Sequence, residues 1–140
     1  MREILFRAKR KNWQEFPKEE WWVEGYPVKY QPCASKEEWI YGIVPTYASA
    51  LYIIEIDPET LCQYIYMNDK NGKRIWENDI VKHEVSDTIG TVKWYQEDYV
   101  GWCVDDIVID EQQFTDEMWN ECEVIGNIFD NPELLKGDAE

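Results

Sequence analysis

The sequence predicts a mainly β protein, with a β-rich portion over about residues 1–60, a small antiparallel barrel over about residues 61–140, and one or two short helices near the end. Three observations point there. The apolar runs are short and rich in aromatic and β-branched residues. They are punctuated by single glycines, prolines and Asn-Gly or Asn-Asp pairs. Hydrophobic residues make up 44% of the 140-residue chain and aromatics 15%, enough for one compact domain despite 31% charged residues.

The elements follow in order. "ILFRAK" opens with a short β-like run. "EEWWVEGYPVKY" and "KEEWIYGIVP" read as strands broken by Gly25, Pro27, Gly42 and Pro45. "ALYIIEID" is nearly continuous in apolar residues, as a strand covered on both faces would be, and Pro58 ends it. "LCQYIYM" leads to Asn71-Gly72, which predicts a type I′ hairpin turn with both residues at positive φ. Ile75 and Trp76 pack beyond it, and Asn78 with Asp79 predict a second turn whose side chains bond the backbone. In "DIVKHEV" the alternation puts Val81, His83 and Val85 on one face. "IGTVKWY" and "GWCVDDIVI" follow as strands, with Gly90 and Gly101 at expected bulges or bends. Thr115 is placed to cap a helix with Asp116 and Glu117 in its first turn, and Phe114 and Met118 form its apolar stripe. Asn131, Pro132 and Gly137 frame a last short helix that turns Leu134 and Leu135 onto the sheet.

Composition bounds the function. The net charge is −15, and it is uneven: residues 1–18 hold six Lys/Arg against two Glu, whereas residues 83–140 hold sixteen Asp/Glu against two Lys. Such a field disfavours nucleic acid, leaving only the basic patch Arg7, Lys9, Arg10 and Lys11 as a contact for phosphate. No run reaches the ~18 apolar residues of a membrane span, and "MREILFRAKRKNW" is too short in apolar residues for a secretory signal, so a soluble, intracellular protein is expected. Cys33, Cys62, Cys103 and Cys122 form no C-x-x-C pair and His83 is the single histidine, so the cysteines read as reduced, mostly buried thiols and no metal or other cofactor is expected.

Phosphate loops, nucleophile elbows and dinucleotide fingerprints are absent from the sequence, which argues against an enzyme. The remaining chemical cluster is Asp105, Asp106, Asp110 and Glu111 in "VDDIVIDEQQ", either a solvated strand end, a surface for a basic partner, or the carboxylates of a metal-dependent enzyme. Eight tryptophans exceed the needs of one small core, so some are expected at a protein interface. The basic residues Lys70, Lys73 and Arg74 flank the hairpin as a minor contact surface.

Four ordered blocks, "MREILFRA", "WIYG" with "IDPETLCQY", "DKNGKRIWENDIV" and "CEVIGNIFDNPELL", resemble the YopX family of small bacteriophage and prophage proteins. The resemblance implies a mainly β protein with an SH3-like barrel in its second half, and it carries no catalytic residues. Two departures stand out. The family usually has Thr-Gly where this chain has Ile65 and Tyr66, and a glycine is common at the position of Asn78. The expectation is therefore a non-enzymatic accessory protein that associates with itself or with a host or phage protein. The rival is an acidic mimic of nucleic acid that occupies a basic host protein.

Overall fold

The computed structural model describes residues 4–32, 38–47, 52–96, 100–105 and 116–135. The protein is mainly β, and its contacts divide into two units, one ending at Gln63 and the other beginning at Tyr64. No helix among the described residues is long and apolar enough to cross a membrane.

The first unit is an antiparallel sheet of β1 (Phe6–Lys9), β2 (Trp22–Tyr30), β3 (Ile40–Pro45), β4 (Ile54–Glu55) and the first residues of β5 (Cys62–Asn68), ordered β4-β3-β2-β1-β5. Strand alternation sends Ala8, Val23, Ile43 and Ile54 to one face, where with Ile56 they form the core and Leu61 packs against them. β2 runs straight through Gly25 and Pro27, where the sequence pattern indicates breaks. The pairing explains both. A Cβ on Gly25 would meet the Val44 carbonyl oxygen at 2.0 Å, so the position needs a glycine for close approach. The Glu24 carbonyl accepts from Thr46 N–H, so even-numbered residues of β2 bond β3 and odd-numbered ones face β1. β1 stops pairing at Phe6–Gly25, and Pro27, lacking an N–H, lies just beyond, where no partner requires one.

The apolar run around β4 is not covered on both faces. Ile54 and Ile56 are buried while Tyr52 and Ile53 are exposed, because β4 is a two-residue edge strand with one face on the core. Pro58 opens a 3-10 turn, Pro58–Thr60, which Asp57 Oδ1 caps by accepting from Glu59 N at 3.1 Å.

In the second unit β5 continues into a hairpin with β6 (Arg74–Trp76), and β7 (Asp79–His83), β8 (Thr88–Tyr95), β9 (Gly101–Val104) and β10 (Cys122–Asn127) form a sheet ordered β10-β7-β8-β9. Among the described residues no pairing closes these strands into a barrel. Ile65, Ile75, Val81, Val92, Val104, Trp119 and Cys122 make the core. Gly90 and Gly101 sit in unshifted ladders; the irregularities fall between Tyr64 and Asn68 and between Val124 and Gly126. Gly90 serves close approach instead, since a Cβ there would lie 1.9 Å from the Asp105 carbonyl oxygen. Val85 leaves the face of Val81 and His83 because β7 ends at His83 and the chain turns.

The "DKNG" hairpin differs from a type I′ turn. Gly72 is at φ 80, Asn71 is not at positive φ, and Gly72 N donates to the Asp69 carbonyl at 2.9 Å, the three-residue loop with a left-handed glycine. Asp69 selects it: Oδ1 accepts from Asn71 N and Lys73 N, each at 2.9 Å, and Oδ2 accepts from Val124 N on β10 at 2.9 Å. The second turn is as expected, with Asn78 at φ 70 and Asp79 Oδ2 accepting from Trp76 N at 2.9 Å. Tyr66 is also left-handed, at φ 67. Tyr66 and Asn78 therefore both lie where glycine is most comfortable.

One α-helix is described, α1 (Asp116–Asn120); Phe114 and Thr115 lie outside the described residues. The last segment is a 3-10 turn, Pro132–Leu135, rather than an α-helix. Asn131 does not cap it with its side chain: Oδ1 accepts from Asn127 N at 3.2 Å, while Asn127 Oδ1 accepts from Phe129 N and Asp130 N. Leu135 is 45% exposed and not tucked onto the sheet.

Candidate functional site: an aromatic and acidic cleft in the first unit

The basic stretch after β1 is where the first unit becomes more than a sheet. Alternation puts Arg7 and Lys9 on the face opposite the core. Lys11 N donates to the Glu55 carbonyl and Asp57 N to the Lys9 carbonyl, so residues 9–11 run beside 55–57. Asn12 then takes a left-handed conformation, φ 59, and reverses the chain into a 3-10 turn, Trp13–Glu15. The turn brings Trp13 back over Lys9.

Lys9 is consequently 1% exposed, with its ammonium 3.6 Å from the Trp13 ring centre, 4.8 Å from Trp21 and 5.6 Å from Trp22. Trp13 and Trp21 meet edge to face at 4.5 Å. Arg7 stacks on Trp22 at 4.6 Å, and Arg10 stacks on Phe16 at 5.2 Å while its Nε donates to the Glu20 carbonyl. Three of the four basic residues of the patch, Arg7, Lys9 and Arg10, are thus engaged by aromatic rings, and Lys11 remains exposed.

On the far side of Trp13 a cleft of about 670 Å³ opens, walled by Trp39, Tyr41 and Ile56 and rimmed by Lys11, Glu38, Glu55 and Asp57. Its backbone is fixed by Ile56 N donating to the Tyr41 carbonyl at 3.0 Å. Trp39 is 50% exposed, and the Lys29 ammonium lies 4.4 Å from its centre and 5.6 Å from that of Tyr41. Lys11 Nζ and Glu55 Oε2 form an ion pair at 3.3 Å, with side chains 61% and 43% exposed. The lining thus combines π faces with three carboxylates and the Lys11 ammonium, while the Lys9 and Lys29 ammoniums lie against its Trp13 and Trp39 rings.

Of the four carboxylates singled out in the sequence, Asp105 alone is among the described residues. Asp105 is exposed just past β9, its N–H on the Thr91 carbonyl; Asp106, Asp110 and Glu111 lie outside the described residues. Among the described residues no group of three His, Cys, Asp or Glu is placed to hold a metal ion. Lys70 is engaged by Glu84 and lies 3.9 Å from Glu123, Arg74 stacks on Tyr64 at 5.2 Å, and Lys73 is exposed.

Cys62, Cys103 and Cys122 are free thiols, and Cys33 is outside the described residues. Burial, helped by Glu121 and Asp69, pushes the Cys122 thiol up to about 12, and burial with Asp105 raises Cys103. High thiol pKa values make poor nucleophiles. His83 is buried. Its Nδ1 lies 2.8 Å from Ser86 Oγ and 3.4 Å from Ser86 N, and its Nε2 lies 2.9 Å from Glu121 Oε1. The set ties the β7–β8 turn to the start of β10; Ser86 stands on an exposed turn rather than in a cleft.

Of the cleft residues, Trp13 and Trp39 are two of the eight tryptophans in excess of one core's needs, and Lys11 belongs to the basic patch. Tyr41 and Asp57 stand in the blocks "WIYG" and "IDPETLCQY", and Glu38 and Glu55 in none, but nothing in these blocks marks a shared site. These four residues come together through the pairing of β3 with β4, and meet Lys11 and Trp13 through the bridge between Arg10 and Ile56, which no local spacing encodes.

None of the curated proteins matches the chain. A solved structure described as protein EF1440 from Enterococcus faecalis is similar in fold, with a TM-score of 0.53 and 20% identity over 96% of this chain and 99% of that one. The sequence model of the family described as YopX protein matches residues 6–136.

Proposed function

The chain belongs to the YopX family, and from that premise we propose that it is a phage- or prophage-derived accessory protein that works in the bacterial cytoplasm by protein association rather than catalysis. The observation that carries this reading is the half-exposed Trp39 beside Tyr41 in a formed cleft, since exposed aromatics set in a cavity are the usual anchors of a protein interface. Tyr26 and Ile53 extend the exposed apolar surface of the same unit. The second unit is read as an open form of an SH3-like barrel, with the β5–β6 hairpin, held to β10 by Asp69, supplying a further wall.

Light scattering over a concentration series, together with capture from host and phage-infected lysates, tests the reading on the wild type and on Trp39→Ala. Association present in the wild type and lost in the variant supports it. A monomer at every concentration that retains no partner sinks it.

The acidic-mimic reading rests on the sixteen acids against two lysines in residues 83–140. Retention of a basic host protein at low salt, released as salt rises, is its expected signature.

A further inference from the structure

We propose that Asn71 is a site of spontaneous covalent modification, converted through a cyclic imide to aspartate and isoaspartate, and that Asp69 sets the rate by holding the hairpin closed. This goes beyond the association reading and does not depend on it.

Asn71 is the one asparagine of the chain that is followed by glycine. The reaction is an attack by the Gly72 backbone nitrogen on the side-chain carbonyl carbon of Asn71. A bond forms between that nitrogen and Cγ, the bond from Cγ to Nδ2 breaks, and the proton of the glycine nitrogen departs with the amide group as ammonia. Water then opens the imide ring, giving aspartate when it adds at Cγ and isoaspartate when it adds at the main-chain carbonyl. Glycine favours the attack because no Cβ crowds its nitrogen. The surroundings are open as well: Asn71 and Gly72 are both exposed, and a Cβ built on Gly72 would meet nothing within 4 Å.

The closed hairpin opposes the same attack. Ring closure requires the Asn71–Gly72 peptide to turn its nitrogen toward Cγ, whereas Gly72 N donates to the Asp69 carbonyl at 2.9 Å. Asp69 Oδ1 holds the amides on either side, Asn71 N and Lys73 N, each at 2.9 Å. Asp69 is itself anchored. It is 4% exposed, its N–H donates to the Lys73 carbonyl at 2.8 Å, and its Oδ2 accepts from Val124 N at 2.9 Å. Lys70 N, donating to the Cys122 carbonyl at 2.9 Å, ties the next residue to β10. The glycine nitrogen is therefore released only when the hairpin opens locally, and the modification rate follows that opening. Isoaspartate lengthens the main chain by a methylene in the middle of this cradle, so the bonds to Asp69 cannot all re-form and the hairpin loosens from β10. Aspartate keeps the chain length and adds only a charge.

The test incubates the full chain at mildly alkaline pH, folded and in guanidinium chloride, and follows every asparagine by peptide mapping and mass spectrometry. Isoaspartate is identified by its methylation with an isoaspartyl methyltransferase. Asn71 is converted before any other asparagine, and in the folded chain about tenfold or more slowly than in the unfolded one. Asp69→Ala, verified as folded by circular dichroism, brings the folded rate close to the unfolded rate. A second measurement needs no variant: in the wild type, guanidinium below the unfolding midpoint raises the conversion rate in parallel with hydrogen exchange of the Gly72 amide. Asn71→Gln, whose longer side chain closes the ring poorly, removes the mass change. The proposal is overturned if another asparagine reacts first, if the folded and unfolded chains react equally fast, or if the folded wild type shows no conversion over many unfolded half-lives. It is equally overturned if folded Asp69→Ala reacts as slowly as the wild type, or if conversion does not follow exchange at Gly72.

Discussion

The ammonium of Lys9 lies 3.6 Å from the centre of the Trp13 ring, with Trp21 and Trp22 completing the surround of a side chain only 1% exposed. A desolvated cation–π contact contributes about 2 kcal/mol, and the lysine stem fills the space beneath the indoles. Lys9→Ala is expected to lower stability by about 2–4 kcal/mol through both losses, and Lys9→Met, which keeps the stem, by about 1 kcal/mol. Urea unfolding followed by tryptophan fluorescence measures both. A Met variant more stable than the wild type would show that desolvating the ammonium outweighs the ring contacts.

Tyr66 occupies the left-handed region at φ 67. That conformation costs a non-glycine residue roughly 1–2 kcal/mol, partly offset by the greater freedom glycine loses on folding. Tyr66→Gly is expected to raise stability by about 0.5–1 kcal/mol, less any contribution from the tilted Tyr64–Tyr66 ring pair at 6.1 Å. Asn78→Gly, at φ 70, should gain less because asparagine tolerates the region. Thermal melts of the two variants decide the order.

Asp69 accepts from the backbone N–H groups of Asn71, Lys73 and Val124. Asp69→Ala leaves these donors without their carboxylate and should cost about 3 kcal/mol or more. Hydrogen exchange localises the effect: the amides of Lys73 and Val124 should lose protection before those of β7 and β8. Unchanged protection at Val124 would refute the bridging role of Oδ2.

The Cys122 thiol, pushed up to about 12 by burial, links stability to alkaline pH. Its folded value lies above its unfolded one, near 9, so between the two the native state binds more protons than the unfolded state. The contribution is complete below pH ~9 and falls as pH rises through the window toward 12. Cys122→Ser removes this slope, which denaturant midpoints across alkaline pH would reveal. At neutral pH Cys122 should resist thiol reagents until the protein unfolds.

Local chemistry made part of this protein readable in its sequence. Asn71-Gly72 marks a reversal wherever it occurs, and Asn78 with Asp79 bond their own neighbourhood, so both turns follow from a few adjacent residues. The turn type did not, because it depends on Asp69 reaching Val124, fifty-five residues away. Gly25 and Pro27 resemble strand breakers until the end of β1 is known. The cleft was hidden for the same reason: Lys11, Trp39 and Glu55 have no periodic relation and meet only through the registers of β3 and β4 and the bridge between Arg10 and Ile56.

Pro27 has one more effect. Past Gly25, the side of β2 that faced β1 has no strand partner among the described residues, and a bare row of N–H and C=O groups is a template on which a foreign chain can add as an extra strand. Proline withholds the first donor of that row, and Lys29, the next residue facing the same way, brings a charge to it. The open half of β2 is thereby a poor seed for edge-to-edge aggregation.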